Sequence, residues 1–164
     1  MSPEEFMAIQ QLLRFLAFAS TFASTLIMGL SKERTTIISG FVITASFKSS
    51  PAFEFFLIGN AIACTYSLIS MPFVYNLMEG YTLQILDKVI MSLVMASAAA
   101  ATAIGYLGLN GDDSIGWSKV CPYYEKFCHR ASVSLIMSYL GFLLFLIMCV
   151  VSVVHNTPRK KASS

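Results

Sequence analysis

Charge is scarce in this sequence. Asp, Glu, Lys and Arg together make up 12% of its 164 residues, against about a quarter in a soluble domain. The little charge present nearly balances, at a formal +2. No long basic run, RNA-binding aromatic motif or zinc-finger spacing gathers it, so no nucleic-acid partner is expected. A Cys-x-x-Cys is missing, and with it the motif of a quinone-linked thiol oxidoreductase. His, Cys, Asp and Glu never cluster at metal-ligand spacing; His129 and His155 stand apart and read as solvated, so no metal or cofactor is expected. A Walker loop, a nucleophile elbow and paired catalytic carboxylates are also lacking, and the chain reads as a non-enzyme. The first apolar segment has no basic leader, begins after Glu4 and Glu5, and carries Arg14 inside. It is therefore expected to be retained rather than cleaved as a signal peptide.

Apolar residues fill the space that charge leaves. They are 56% of the chain, and the mean hydropathy is +0.70. Four stretches exceed the roughly 18–20 residues that span hydrocarbon: Phe6–Leu30, Ala52–Met78, Leu83–Gly108 and Ala131–Val154. Between them lie a polar loop at Ser31–Pro51, a tight turn around Glu79–Thr82, and a second long loop at Leu109–Arg130. The expected fold is all-α, a single four-span domain over residues 1–164. It forms a four-helix transmembrane bundle with both loops on one side and both termini on the other.

Two ionisable residues sit inside the apolar runs, Arg14 in the first and Asp87 in the third. Each costs about 2.5–3.5 kcal/mol at the bilayer centre even on a lenient scale. Segments one and three enter from the same side, and the two residues lie about eight and about five positions in, so their depths differ by a few ångströms. They can pair. Helical spacing from Arg14 gives a small and polar stripe of Ala17, Thr21, Ser24 and Met28. From Asp87 it gives Met91, Val94, Ala98, Ala101 and Gly105. Gly59, Ala63 and Ser67 make a third stripe, of the kind that lets helices approach closely in lipid. A packing pair is the favoured reading of Arg14 and Asp87; the rival is a proton or ion relay, for which Gln10, Gln11, Asn60 and Asn76 offer the further steps. Lateral self-association is expected through Gly59, Ala63 and Ser67, or else through Ser97, Ala101 and Gly105. Lys88 is read as snorkelling to water. Pro72 is expected to kink its helix, with Ser70 or neighbouring groups taking up the freed carbonyl.

Orientation is contested. The basic tail, Arg159, Lys160 and Lys161, favours a cytoplasmic C-terminus, but Lys32, Arg34, Lys48, Lys119, Lys126 and Arg130 in the loops pull the other way. Cys121 and Cys128 flank a short polar turn in the second loop, and an oxidising exterior would close them into a disulfide worth about 2–3 kcal/mol. Cys64 and Cys149 fall within helices and read as small apolar filler.

The run Gly116-Trp117, Val120-Cys121, Phe127-Cys128, followed by a Ser-rich apolar helix, resembles the Casparian strip membrane domain protein-like (CASP-like) family of plants. The likeness extends through Leu13-Arg14, Phe53, Asn60-Ala61, Tyr66-Ser67, Leu86-Asp87 and the alanines 98–101, covering nearly all of the chain. The resemblance marks Arg14 and Asp87 as hallmark residues and Gly116, Trp117 and Phe127 as an outer-loop motif; a wider kinship to MARVEL four-span proteins comes with it. It implies a multi-pass plasma-membrane scaffold with both termini cytoplasmic, forming homodimers or larger homo-oligomers and heterodimers or other hetero-oligomers with relatives among membrane lipids. It also implies organisation of a membrane or cell-wall domain and recruitment of wall-modifying enzymes. A small channel or transporter built on the Arg14–Asp87 pair is the alternative. The first loop reads Thr35-Thr36-Ile37-Ile38-Ser39-Gly40-Phe41 and lacks the aromatic Leu-Pro-Phe-Phe type signature of Casparian-strip members. Glu54 stands where that pattern is usually apolar. Claudins carry their Trp and two cysteines in the first loop, and tetraspanins need a Cys-Cys-Gly, so neither class fits.

Overall fold

Four long helices carry the chain back and forth: α1 (Pro3–Leu30), α2 (Pro51–Asn76), α3 (Tyr81–Asn110) and α4 (Glu125–Asn156). The computed structural model describes residues 3–37, 41–76, 81–112, 114 and 116–156. Each helix is long and apolar enough to cross a membrane. They pack in a ring in chain order, with α1 against α2, α2 against α3, α3 against α4, and α4 back against α1. Of the turn expected around Glu79–Thr82, residues 79–80 lie outside what is described, as do the side chain of Asn76 and the basic tail from residue 159, whereas Tyr81 and Thr82 already belong to α3.

The bundle is built inside out relative to a soluble one. Large apolar side chains such as Leu12, Ile58, Val89 and Ile136 are exposed on its outside. Small and polar ones, including Thr21, Ser24, Asn60, Ser67, Ser97, Ser134 and Ser138, are fully buried. Lipid tails are as apolar as leucine, so helices gain nothing by hiding leucine from them and associate instead through close packing and hydrogen bonds. Two apolar clusters complete the interior. One, near the termini, joins Leu13, Ala17, Ala63, Ile90, Val94, Phe145 and Met148. The other, at the loop end, gathers Met28, Phe53, Phe56, Ala98, Tyr124 and Phe127.

The loop end differs from the sequence expectation in two ways. The 31–51 loop contains an antiparallel hairpin, β1 (Lys32–Ile37) with β2 (Phe41–Ser46), in register from Lys32 opposite Ser46 to Ile37 opposite Phe41, then a short 3-10 turn at Phe47–Ser49. β-Branched and aromatic residues on both sides of a Ser-Gly pair favour that hairpin over an open loop. The last helix starts at Glu125, not Ala131; its polar first turns stand beyond the apolar stretch. Glu33 of β1 reaches this start and accepts the Phe127 backbone N–H at 2.8 Å, supplying a cap from a distant segment.

The second loop folds back on the helix before it. Gly111 ends α3 with φ +68°, its N–H donating to Leu107 O at 2.8 Å, and a Cβ there would come within 2.7 Å of Trp117 O. Only glycine fits this left-handed helix stop. Asp112 and Trp117 exchange two backbone hydrogen bonds of 2.9 Å, and Gly116 adopts φ +74° beside them. Val120 and Cys121 then both donate to Gly108 O, at 2.9 and 3.0 Å. Within this region the Tyr124 hydroxyl is buried with no partner among the described residues. Tyr124→Phe removes a desolvated group and keeps the ring, so it is expected to raise stability by about 1 kcal/mol. A lower thermal midpoint in detergent would contradict this.

Candidate functional site

Arg14 and Asp87 meet across the centre of the bundle. Arg14 Nη1 donates to Asp87 Oδ1 at 3.1 Å and Nη2 to Oδ2 at 2.8 Å, a two-pronged ion pair with both residues at most 2% exposed. The guanidinium fork and the carboxylate match in shape, which is why arginine suits this position better than lysine. α2 closes the site. Tyr66 Oη donates to Asp87 Oδ1 at 2.6 Å, and Arg14 Nη1 also donates to Ser70 Oγ at 2.8 Å. The Tyr66 ring centroid lies 6.0 Å from the guanidinium carbon. Ser70 itself donates to Ser67 O at 3.1 Å, so its hydroxyl serves the charge pair and does not take up the carbonyl that Pro72 frees. That corrects the role expected for it.

One turn before Arg14, Gln10 Nε2 donates to Ser152 Oγ at 2.9 Å and to Met148 O at 3.3 Å, tying α1 to α4. Gln11 Nε2 donates to Met71 O at 2.8 Å on the α2 side. Two polar atoms of this region have no partner among the described residues, Gln10 Oε1 and Arg14 Nε. Deeper in, Ser138 Oγ donates to Asn60 Oδ1 at 2.9 Å, and Ser24 and Ser134 exchange hydroxyl-to-carbonyl bonds of 3.0 and 2.8 Å. The ion pair thus spans one diagonal of the ring, α1 to α3, and the Asn60–Ser138 bond spans the other, α2 to α4. Sequence reasoning named Asn60, placed Ser24 on the stripe from Arg14 and gave Ser70 another role, but missed Ser134 and Ser138 and the bonds that these serines make. The signal was there, since Ser24, Ser134 and Ser138 all lie on bundle-facing stripes.

The small-residue stripes pack within the chain. Ala63, Ser67, Ser97 and Ala101 are fully buried, and a Cβ on Gly59 would lie 2.7 Å from Ser97 Oγ and 2.9 Å from its Cβ. Gly59 is where α2 rests on α3. Neither the Gly59, Ala63, Ser67 stripe nor Ser97 and Ala101 can therefore serve as the face between subunits, which corrects that expectation. Gly105 alone of these lies open, with nothing within 4 Å of where its Cβ would be.

Cys121 and Cys128 are disulfide-bonded, with Cα atoms 5.8 Å apart, and the bridge holds the end of the second loop on the first turn of α4. Phe127 turns inward and meets Phe53 edge to face at 5.8 Å. Trp117, half exposed, stays at the surface. Cys64 and Cys149 are buried in their helices, and Lys88 is exposed. Among the described residues no group of His, Cys, Asp and Glu could hold a metal ion.

The profile of the Casparian strip membrane protein domain matches residues 4–144. The chain is 37% identical to "CASP-like protein 1F1" of Ricinus communis, over 92% of its own length and 88% of that protein's. It is 36% identical to "CASP-like protein 7" of Glycine max, over 87% and 81%. With "CASP-like protein 1B2" of Oryza sativa subsp. indica it shares 30% identity over 98% and 88%. No solved structure matches it.

Proposed function

Because this chain belongs to the Casparian strip membrane protein domain family, we propose that it is a non-enzymatic scaffold of the plasma membrane. It self-associates laterally, joins related four-span proteins, and organises a membrane or cell-wall domain, where it recruits wall-modifying enzymes. The observation that carries this reading is the closure of the Arg14–Asp87 site. Both carboxylate oxygens and both terminal guanidinium nitrogens are engaged by side chains from α1, α2 and α3. Such a site clamps helices and leaves a rigid, apolar exterior for lateral contact. Crosslinking and native mass measurement in mild detergent test it. An oligomer is expected, and a monodisperse monomer at all protein-to-detergent ratios would refute it.

In this reading the loops face the cell exterior and both termini the cytoplasm. An impermeant maleimide added to intact cells is expected to label neither Cys121 nor Cys128 before reduction and both after. Labelling without reduction would contradict the bond, and none after reduction would contradict the topology.

A second reading rests on the unpartnered Gln10 Oε1 and Arg14 Nε, an acceptor and a donor one helical turn apart. These could begin a polar path for a small transporter. Selective flux in proteoliposomes, abolished by Asp87→Asn with assembly intact, would favour transport over scaffolding.

A further inference from the structure

A cavity of about 400 Å³ lies at the loop end, between the last turns of α3 and the first turns of α4. Its wall includes Thr102 and Ile104 to Leu109 on one side, and Cys128, Ala131, Ser132 and Leu135 on the other. Trp117, Val120 and Cys121 of the second loop also line it, and Phe53 of α2 contributes from behind. The space exists because α3 has glycine at 105 and 108. A Cβ at Gly105 would meet no atom within 4 Å, and one at Gly108 would meet only Cys121 Sγ, at 3.8 Å.

Three observations say what fits. The first is chemical. The wall is mostly apolar; among its polar atoms the Tyr124 hydroxyl has no partner among the described residues, whereas the hydroxyls of Thr102 and Ser132 are engaged. Thr102 Oγ1 donates to Ala98 O at 2.7 Å and lies 2.9 Å from Tyr139 Oη, while Ser132 Oγ donates to Cys128 O at 3.0 Å. Water needs several polar partners to settle in a cavity, and apolar cavities of even 150 Å³ prefer a hydrocarbon such as benzene. The second is depth. α3 is 30 residues long, about 45 Å, against about 30 Å of hydrocarbon, so Gly105 falls near the edge of the hydrocarbon layer. The third is continuity. Tyr106, Leu109, Trp117 and Val120 are exposed at the cavity, and the exposed Val133, Ile136 and Leu140 carry the same apolar surface down α4 into the lipid-facing belt. Tyr and Trp are the residues that settle at headgroup level.

The geometry points to a lipid-binding site: this cavity takes one hydrocarbon chain of a phospholipid from the leaflet on the loop side. The site is distinct from the buried charge pair and does not depend on lateral assembly. Because Cys121 and Cys128 both line it, the disulfide forms part of its wall.

The test uses the full chain in phosphatidylcholine vesicles containing a phosphatidylcholine with a diazirine in the carbonyl half of one acyl chain. After photolysis, adducts are expected to concentrate on peptides carrying Gly105–Leu109 and Ala131–Leu135. Gly105→Leu grows into the open space, and is expected to lower that labelling about tenfold, the loss that follows when it displaces a pair of methylenes. Gly105→Ala, whose single carbon meets nothing, is expected to fold normally and lower it by a smaller amount. Labelling spread evenly over all four helices would overturn the proposal, as would full labelling in Gly105→Leu. A benzophenone side chain at Leu109 separates the remaining occupant. Adducts of lipid mass support the site, and adducts to a second chain assign the cavity to a neighbouring copy and overturn it.

Discussion

Asp87→Ala is expected to lower the stability of the folded bundle by about 3–5 kcal/mol, the cost of stranding one partner of a buried ion pair. The carboxylate accepts from Arg14 twice and from Tyr66 once, so its loss leaves a guanidinium in apolar surroundings and a phenol without its partner. Against a typical total of about 5–15 kcal/mol, that loss reaches assembly and surface delivery as well as melting. Arg14→Ala is expected to do the same. The double replacement Arg14→Met with Asp87→Leu removes both charges at once, and should recover most of the stability that either single loss removes. Exchanging the residues, Arg14→Asp with Asp87→Arg, is expected to recover part of it. The check is the unfolding midpoint in detergent, beside the fraction reaching the cell surface. If Asp87→Ala unfolds at the wild-type midpoint, the pair does not hold the bundle together.

Gly59→Leu comes next in size. A side chain there meets Ser97 at its Cβ, which is fixed to the backbone, so α2 and α3 must separate. Overpacking of this kind costs about 3 kcal/mol, and it withdraws the dispersion contacts that hold helices together in lipid. Gly105→Leu, at a position where an added Cβ meets nothing within 4 Å, serves as the matched control and should leave the midpoint near wild type. Equal midpoints for the two variants would show that the close approach at Gly59 contributes nothing.

Much of this was legible in the sequence, for reasons that differ by element. The four spans follow from length and hydropathy, which lipid enforces strictly because every backbone group must be satisfied within the helix. Arg14 and Asp87 stood out because charge is costly in hydrocarbon, and their matching depths brought them together. The roles of Tyr66 and Ser70 at the pair did not stand out; a tyrosine or serine in a span is common, and only the packing of α2 against both α1 and α3 brings Ser70 to Arg14 and Tyr66 to Asp87. The stripe at Gly59 was recognised as a packing face, but spacing cannot say whether the neighbour belongs to the same chain. The hairpin was missed although Thr35, Thr36 and Ile37 before the Ser-Gly, and Phe41, Val42 and Ile43 after it, carry the strand signal. The early start of α4 escaped notice because its first turns, with Glu125, Lys126, His129 and Arg130, are polar and precede the apolar run.

The bond from Glu33 to the Phe127 N–H makes the two loops a single part for purposes of exchange. A chimera whose incoming first loop lacks a carboxylate at this place carries off the cap of a helix it does not contain, and one whose incoming second loop shifts the start of α4 receives a helix start from which Glu33 is no longer correctly spaced. Each half transplant therefore leaves an open N–H beside the Phe53–Phe127 contact. Recognition properties of these loops are transferable as a matched pair, and a swap of one loop alone measures the damage at their junction together with any change in what the loops bind.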